Sequence, residues 1–265
     1  MTSVRPPAVA GGFYPGNASA LRRTINEMLS AARPRPMSVK ALIAPHAGYV
    51  YSGPVAASGY ASLKQNAPHI RRVVLLGPTH RVAVRGLALP EAQAFATPLG
   101  EIKIDKDAVR AIVSLPQIVA SDHVHALEHS LEVQLPFLQT VLDDFTLLPL
   151  AVGMATPEEV AEVLDAVWGG PETLIVVSSD LSHYLPYAAA QATDRATVDN
   201  ILHLRLLDNH EQACGATPIN GLLLAARRHG LTPHLLDLRN SGDTAGSRDG
   251  VVGYAAIAFT PGDAT

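Results

Sequence analysis

Short apolar runs rich in β-branched residues alternate along this chain with longer stretches in which apolar positions recur at helical spacing. The runs are VKALIAP (39–45), RRVVLLGP (71–78), TLLPLAVG (146–153), TLIVVSSD (173–180), PHLLDLRN (233–240) and VVGYAAIAFT (251–260). Several are apolar on consecutive positions, the pattern of strands covered on both faces. Between them the spacing predicts helices over Ser19 to Ala32, Asp105 to Ser114, Glu128 to Leu142 with a kink at Pro136, Pro157 to Val167, Ala188 to Leu207 and Ile219 to His229. Strand and helix in alternation define an α/β chain built on a central, largely parallel sheet.

The polar residues that interrupt this pattern fall at the ends of the strands. His46 follows the first run in APHAGYVYSG, His80 follows the second in LLGPTH, and SSDLSH carries Asp180 and His183 out of the fourth. Ligands of open sheets bind beyond the carboxyl ends of the strands, where loops converge and helix N-termini present free amides. Two histidines from separate rigid strand ends suit a divalent transition metal. Taken singly, each histidine reads first as a loop residue that satisfies a local hydrogen bond, and it is their placement at successive strand exits that raises the metal reading. Asp180 could orient His183, which would serve as an acid or base, or could cap the next turn.

Two further stretches carry candidate chemistry. SDHVHALEHSLEVQLPFL holds His123, His125 and His129 close together, with Glu128 and Glu132 four apart on one predicted helical face. Its spacing matches neither a zinc-protease nor a finger motif, so it reads as a pocket wall, or else as a surface amphipathic helix. Cys214, in EQACGATPING, precedes a predicted helix start at Pro218 that would favour the thiolate. The alternative is a buried cysteine acting as a small hydrophobe.

Composition narrows the classes. Of 265 residues, 48% are hydrophobic and 17% charged, enough for a sizeable core, and no linker or low-complexity tract divides the chain. A single domain over residues 1–265 is expected. The formal charge is −4 and the basic residues are scattered, so nucleic acid is not an expected partner. The single cysteine excludes an internal disulfide framework and fits a reducing compartment. The first sixteen residues, broken by Pro and Gly, lack a signal-peptide core, and Pro45, Gly48, Gly53 and Pro54 interrupt the uncharged stretch 41–63. These features lead to the expectation of a cytoplasmic protein with no membrane span.

In order, RPPAVAGGFYPG, APHAGYVYSG, LLGPTH, EHSLEVQLPFL, SSDLSHY and ACGATPINGLL resemble the Memo family, also called AmmeMemoRadiSam system protein B, over nearly the full chain. The resemblance implies a three-layer αβα fold like that of the class III extradiol ring-cleaving dioxygenases, the LigB-like group. It implies metal ligands at His46, His80 and Cys214, with His183, Asp180 and His129 lining the same cavity as the catalytic set. Those dioxygenases hold Fe(II) with two histidines and a carboxylate, whereas a thiolate would take the carboxylate's place here. Fe(II) is the first expectation, with Cu or Zn as alternatives, and ring cleavage does not follow from the fold.

The function expected on these grounds is a mononuclear non-haem metal protein, dioxygenase-like or otherwise redox-active, with a small-molecule or peptidyl substrate. One alternative is a metal-free hydrolase using Cys214, His183 and Asp180. Another is a non-enzymatic peptide- or partner-binding protein, and the family's second name suggests AMMECR-like and radical-SAM partners.

Overall fold

The computed structural model describes residues 3–35 and 37–262. Its strands are β1 (Val4–Arg5), β2 (Ala41–Ala44), β3 (Arg72–Pro78), β4 (Leu87–Leu89), β5 (Ala94–Thr97), β6 (Gly100–Lys103), β7 (Ile118–Ala120), β8 (Thr146–Val152), β9 (Thr173–Ser178), β10 (His183–Leu185), β11 (Leu231–Asn240) and β12 (Val251–Pro261). The helices are α1 (Ala18–Ala31), α2 (Tyr49–Ala61), α3 (Lys106–Ile112), α4 (Asp122–Ala126), α5 (Leu135–Val141), α6 (Pro157–Ala166), α7 (Tyr187–Leu202), α8 (Ala216–Arg228) and α9 (Ser241–Thr244).

Nine strands form the main sheet in the order β10-β12-β2-β9-β3-β8-β4-β7, with β11 paired to β12. The middle four, β2-β9-β3-β8, run parallel. On either side the added strands turn antiparallel: β12 against β2, β11 and β10 against β12, and β4 against β8. A separate small sheet joins β1, β5 and β6.

Strand alternation builds the three layers. Leu42 and Ala44 of β2, Val73 and Leu75 of β3 and Leu174 and Val176 of β9 face one core, which includes Leu21 and Ile25 of α1, Tyr60 of α2 and Phe137 of α5. Ala41 and Ile43, Val74 and Leu76, and Ile175 and Val177 face the other, shared with Val160 and Leu164 of α6, Ile201 of α7 and Ile219 and Leu222 of α8. The result is the αβα arrangement that the family resemblance implies, with the parallel strands buried at its centre apart from the first residues of β3 and β8.

Two elements depart from expectation. The predicted helix over Glu128 to Leu142 is confined to α5, preceded by a single 3₁₀ turn over Glu132–Gln134, and residues 128–131 form a loop. Glu128 and Glu132 therefore do not share a helical face: each carboxylate is buried and collects backbone N–H groups instead. Residues 49–61, predicted only not to span a membrane, form α2 with Pro54 inside it. Among the described residues no helix is long and apolar enough to cross a membrane.

Candidate metal centre

Because β9 lies between β2 and β3, the exits of these three neighbours converge at one end of the sheet. His46 comes two residues after β2, His80 two residues after β3, and Ser178 ends β9 between them. His129 arrives from the loop after α4. The ring centroids of His46 and His80 are 5.2 Å apart, those of His80 and His129 4.6 Å, and those of His46 and His129 5.5 Å. One potential ligand atom from each of the three lies within 4.8 Å of the others.

Hydrogen bonds set the proton positions on two of these rings. His46 Nδ1 is 2.9 Å from Ser178 Oγ. The Ser178 hydroxyl gives its only proton to the Ser130 carbonyl at 2.6 Å and accepts from the Gln134 side-chain amide at 2.8 Å. The second hydrogen of that amide goes to Pro45 O at 2.9 Å, while its oxygen accepts from Tyr60 at 2.7 Å. Ser178 can therefore only accept from His46, so Nδ1 carries the proton and Nε2 keeps its lone pair, turned toward Cys214 Sγ at 3.4 Å. The same reasoning applies to His80, whose Nδ1 is 3.0 Å from Glu128 Oε1. Bonds from the side chain and backbone of His80 and from the Ser130 amide outweigh burial and hold the Glu128 carboxyl at about 2, so it accepts only.

His129 differs. Its Nδ1 is 3.3 Å from Glu128 Oε1, but it is buried and makes no hydrogen bond. Its ring packs at 4.8 Å against Phe13 of the N-terminal segment, which is anchored where the buried Arg5 and Glu132 pair and Tyr14 and the Ala8 and Val9 amides bond to Glu132. Burial lowers the His129 imidazole to about 4, with His80 and then Arg81 adding to the effect against the pull of Glu128; burial likewise pushes His46 well below its ordinary range, assisted by His80 and His129. Both are neutral at physiological pH.

These residues fit a metal ion. His46 is buried, His129 half-buried and His80 exposed, and their ring nitrogens converge, with His129 Nδ1 buried and without a partner; a cation is a partner that converging imidazole nitrogens accept. Glu128 and Ser178 supply the outer contacts that usually orient imidazole ligands.

Cys214 lies just before α8, with Sγ 3.4 Å from His46 Nε2. It adjoins the three-histidine group without belonging to it. Burial, and next the charge of Asp180, push its thiol up to about 12, against the opposing hydrogen bonds of the Asp180 and Gly215 backbone and of Ser179. Asp180 is fully buried and is raised to about 7 by burial. Its carboxylate accepts the His46 backbone N–H at 2.7 Å, and among the described residues no hydrogen bond joins it to His183. His183 begins β10 on the exposed side of the site, and partial desolvation and the neighbouring His80 lower it.

Of the clustered histidines in SDHVHALEH, only His129 enters the site. His125 is buried 2.9 Å from the Ala88 carbonyl and edge-on to Phe95, and His123 is exposed. A cleft of about 430 Å³ opens beside the centre, lined by His80, Arg81, Met154, His210, Cys214 and Thr217 among others. Ser178 and Gln134 were missed at the sequence level. Their signal was a serine and a glutamine inside otherwise apolar stretches, VVSS and EVQLPF, where a buried polar residue requires partners.

The fold and site define an αβα protein with a histidine-rich cluster at the carboxyl ends of parallel strands. The family model for Memo-like proteins matches residues 5–258. A MEMO1 family protein of Methanosarcina barkeri is 38% identical over 272 residues, covering 96% of this chain and 99% of its own length. Another, of Methanothermobacter thermautotrophicus, is 36% identical over 276 residues with 96% and 99% coverage. The chain belongs to the Memo family. An uncharacterized protein of Escherichia coli K12, known from a crystal structure, is similar over 84% of this chain and 99% of its own, with 12% identity and a TM-score of 0.49.

Proposed function

We propose that this chain is a mononuclear metal-binding protein in which His46, His80 and His129 hold a first-row transition ion, with Cys214 joining as a thiolate once the ion is present. The observation that carries the reading is the gathering of one ligand atom from each of the three imidazoles within 4.8 Å, with Nδ1 of His46 and of His80 engaged by Ser178 and Glu128. Imidazole donors suit Fe(II), Cu and Zn; Fe(II) is the first choice for a redox role, and such an ion would supply Lewis acidity or electron transfer.

The chain's own residues do the remaining work. Ser178 and Glu128 orient the ligands, while Phe13 closes one side of the site against water. Asp180, near 7, and His183 are the groups able to hold or release a proton close to the centre. The adjoining cleft would admit a small molecule or the end of a peptide, for an oxygen- or redox-dependent reaction. A metal-free cysteine hydrolase fits less well: the Cys214 thiol is held up near 12, and the imidazole beside it is His46, not His183.

Titration with Co(II), a spectroscopic stand-in, tests the ligand set. The reading predicts saturable binding with a thiolate-to-metal charge-transfer band that Cys214→Ser abolishes while binding persists. No saturable binding would contradict it.

A further inference from the structure

We infer that the substrate of this site carries an anionic oxyacid group, carboxylate or phosphate, on an apolar body, and that Arg81 is the side chain that binds it. The inference rests on the proposed function, since it takes the cleft beside the histidines to be the substrate's.

Arg81 follows His80 directly and lines the cleft. Among the described residues its exposed guanidinium makes no ion pair and no side-chain hydrogen bond, as is also true of Arg22, Arg23, Arg85 and Arg195, but of these Arg81 alone lines the cleft. Among the described residues, none that lines the cleft is acidic. The nearby carboxylates, Glu128 and Asp180, are buried beneath the histidines and committed to the backbone N–H groups of His80, His129, Ser130 and His46. Neither forms an ion pair with Arg81.

The rest of the lining sorts into rim and wall. His210 donates from Nδ1 to the Cys214 carbonyl at 3.1 Å, and its Nε2 is 3.4 Å from the Thr217 hydroxyl, so the ring is engaged in the rim. Val82, Val84 and the strongly exposed Met154 supply an apolar wall. A guanidinium presents a planar fork of donors that matches a carboxylate or phosphate two bonds at a time. A cleft with one unpaired fork, an apolar wall and no opposing charge selects an anion with a hydrophobic remainder.

The single cysteine offers a test that needs no turnover and no metal, because Cys214 lines the same cleft. Its alkylation rates with iodoacetate and iodoacetamide at mildly alkaline pH compare an anionic with a neutral reagent of similar size. The expected result is that the ratio of iodoacetate to iodoacetamide rates falls about fivefold in Arg81→Gln, the effect of one unit charge across a few ångströms of partly hydrated cleft, and recovers in Arg81→Lys. An unchanged ratio in Arg81→Gln would overturn the inference.

Isothermal titration of inorganic phosphate and of butyrate into wild type and Arg81→Gln decides the same question without the thiol. Binding of either anion that the variant loses supports Arg81, and the stronger of the two identifies the oxyacid. Binding of neither, or equal binding by the variant, rejects it. Metal titration of the same proteins keeps the two readings apart: loss of metal binding in wild type would remove the metal centre, while the anion measurements still judge Arg81.

Discussion

Ser178 receives hydrogen bonds from His46 and Gln134 and donates one to Ser130, so removing one hydroxyl frees three partners at once. Ser178→Ala leaves His46 Nδ1 and a Gln134 N–H without an acceptor in a fully buried place, and the ring loses its fixed tautomer. The expected outcome is a metal affinity about 10- to 100-fold weaker, read by competitive titration, with a stability loss of about 1–3 kcal/mol. Glu128 makes a different prediction. Its folded carboxyl sits at about 2, below the unfolded value of 4.5, so its contribution is present above pH 4.5 and is lost as pH falls toward 2. Wild type should exceed Glu128→Gln in stability near pH 6, by a margin on the order of 3 kcal/mol that vanishes by about pH 2 in denaturation curves collected across that range. His46 and His80 were legible as single letters because each breaks an apolar run at its end. Ser178, Gln134 and Glu128 were not, since their importance lies in partners distant along the chain.

At the scale of elements, the loop 128–131 reaches the site because β3 offers it a glycine to lie against. A Cβ on Gly77 would come within 2.8 Å of Ser130 Oγ and 3.0 Å of Leu131. Gly77→Ala should therefore cost about 1–3 kcal/mol in thermal or chemical denaturation and should weaken metal binding as well, since the displaced loop carries His129. An alanine that lowered stability but left metal affinity intact would mean that His129 is not a ligand. The parallel strands and most helices were readable from their periods, to within a few residues. Helix α2 was not: it is apolar on most of its surface, with Gly53 pressed onto Met28 and Pro54 within it, so no polar face reveals a period. The helix predicted across Glu128 dissolved because its carboxylates are worth more as acceptors for loop amides than on a helix surface. Strand direction was also hidden in part, since the apolar runs of β11 and β12 are the same whether the strands pair parallel or antiparallel.

At the scale of the molecule, the crossing order of the sheet turns separate sequence signals into one centre. Insertion of β9 between β2 and β3 places His46 and His80 on either side of Ser178, and the N-terminal segment, fixed by Arg5 and Glu132, lays Phe13 over His129. Resemblance to the Memo family pointed to the same neighbourhood, although the compact group the fold assembles is His46, His80 and His129, with Cys214 adjoining. The central claim is that these imidazoles hold one metal ion. The measurement that tests it most directly is anaerobic Fe(II) and Zn(II) titration of the metal-stripped protein beside His46→Ala, His80→Ala and His129→Ala. One equivalent bound by wild type and lost or strongly weakened in every variant is the predicted result; no binding by wild type, or undiminished binding by the three variants, would contradict it.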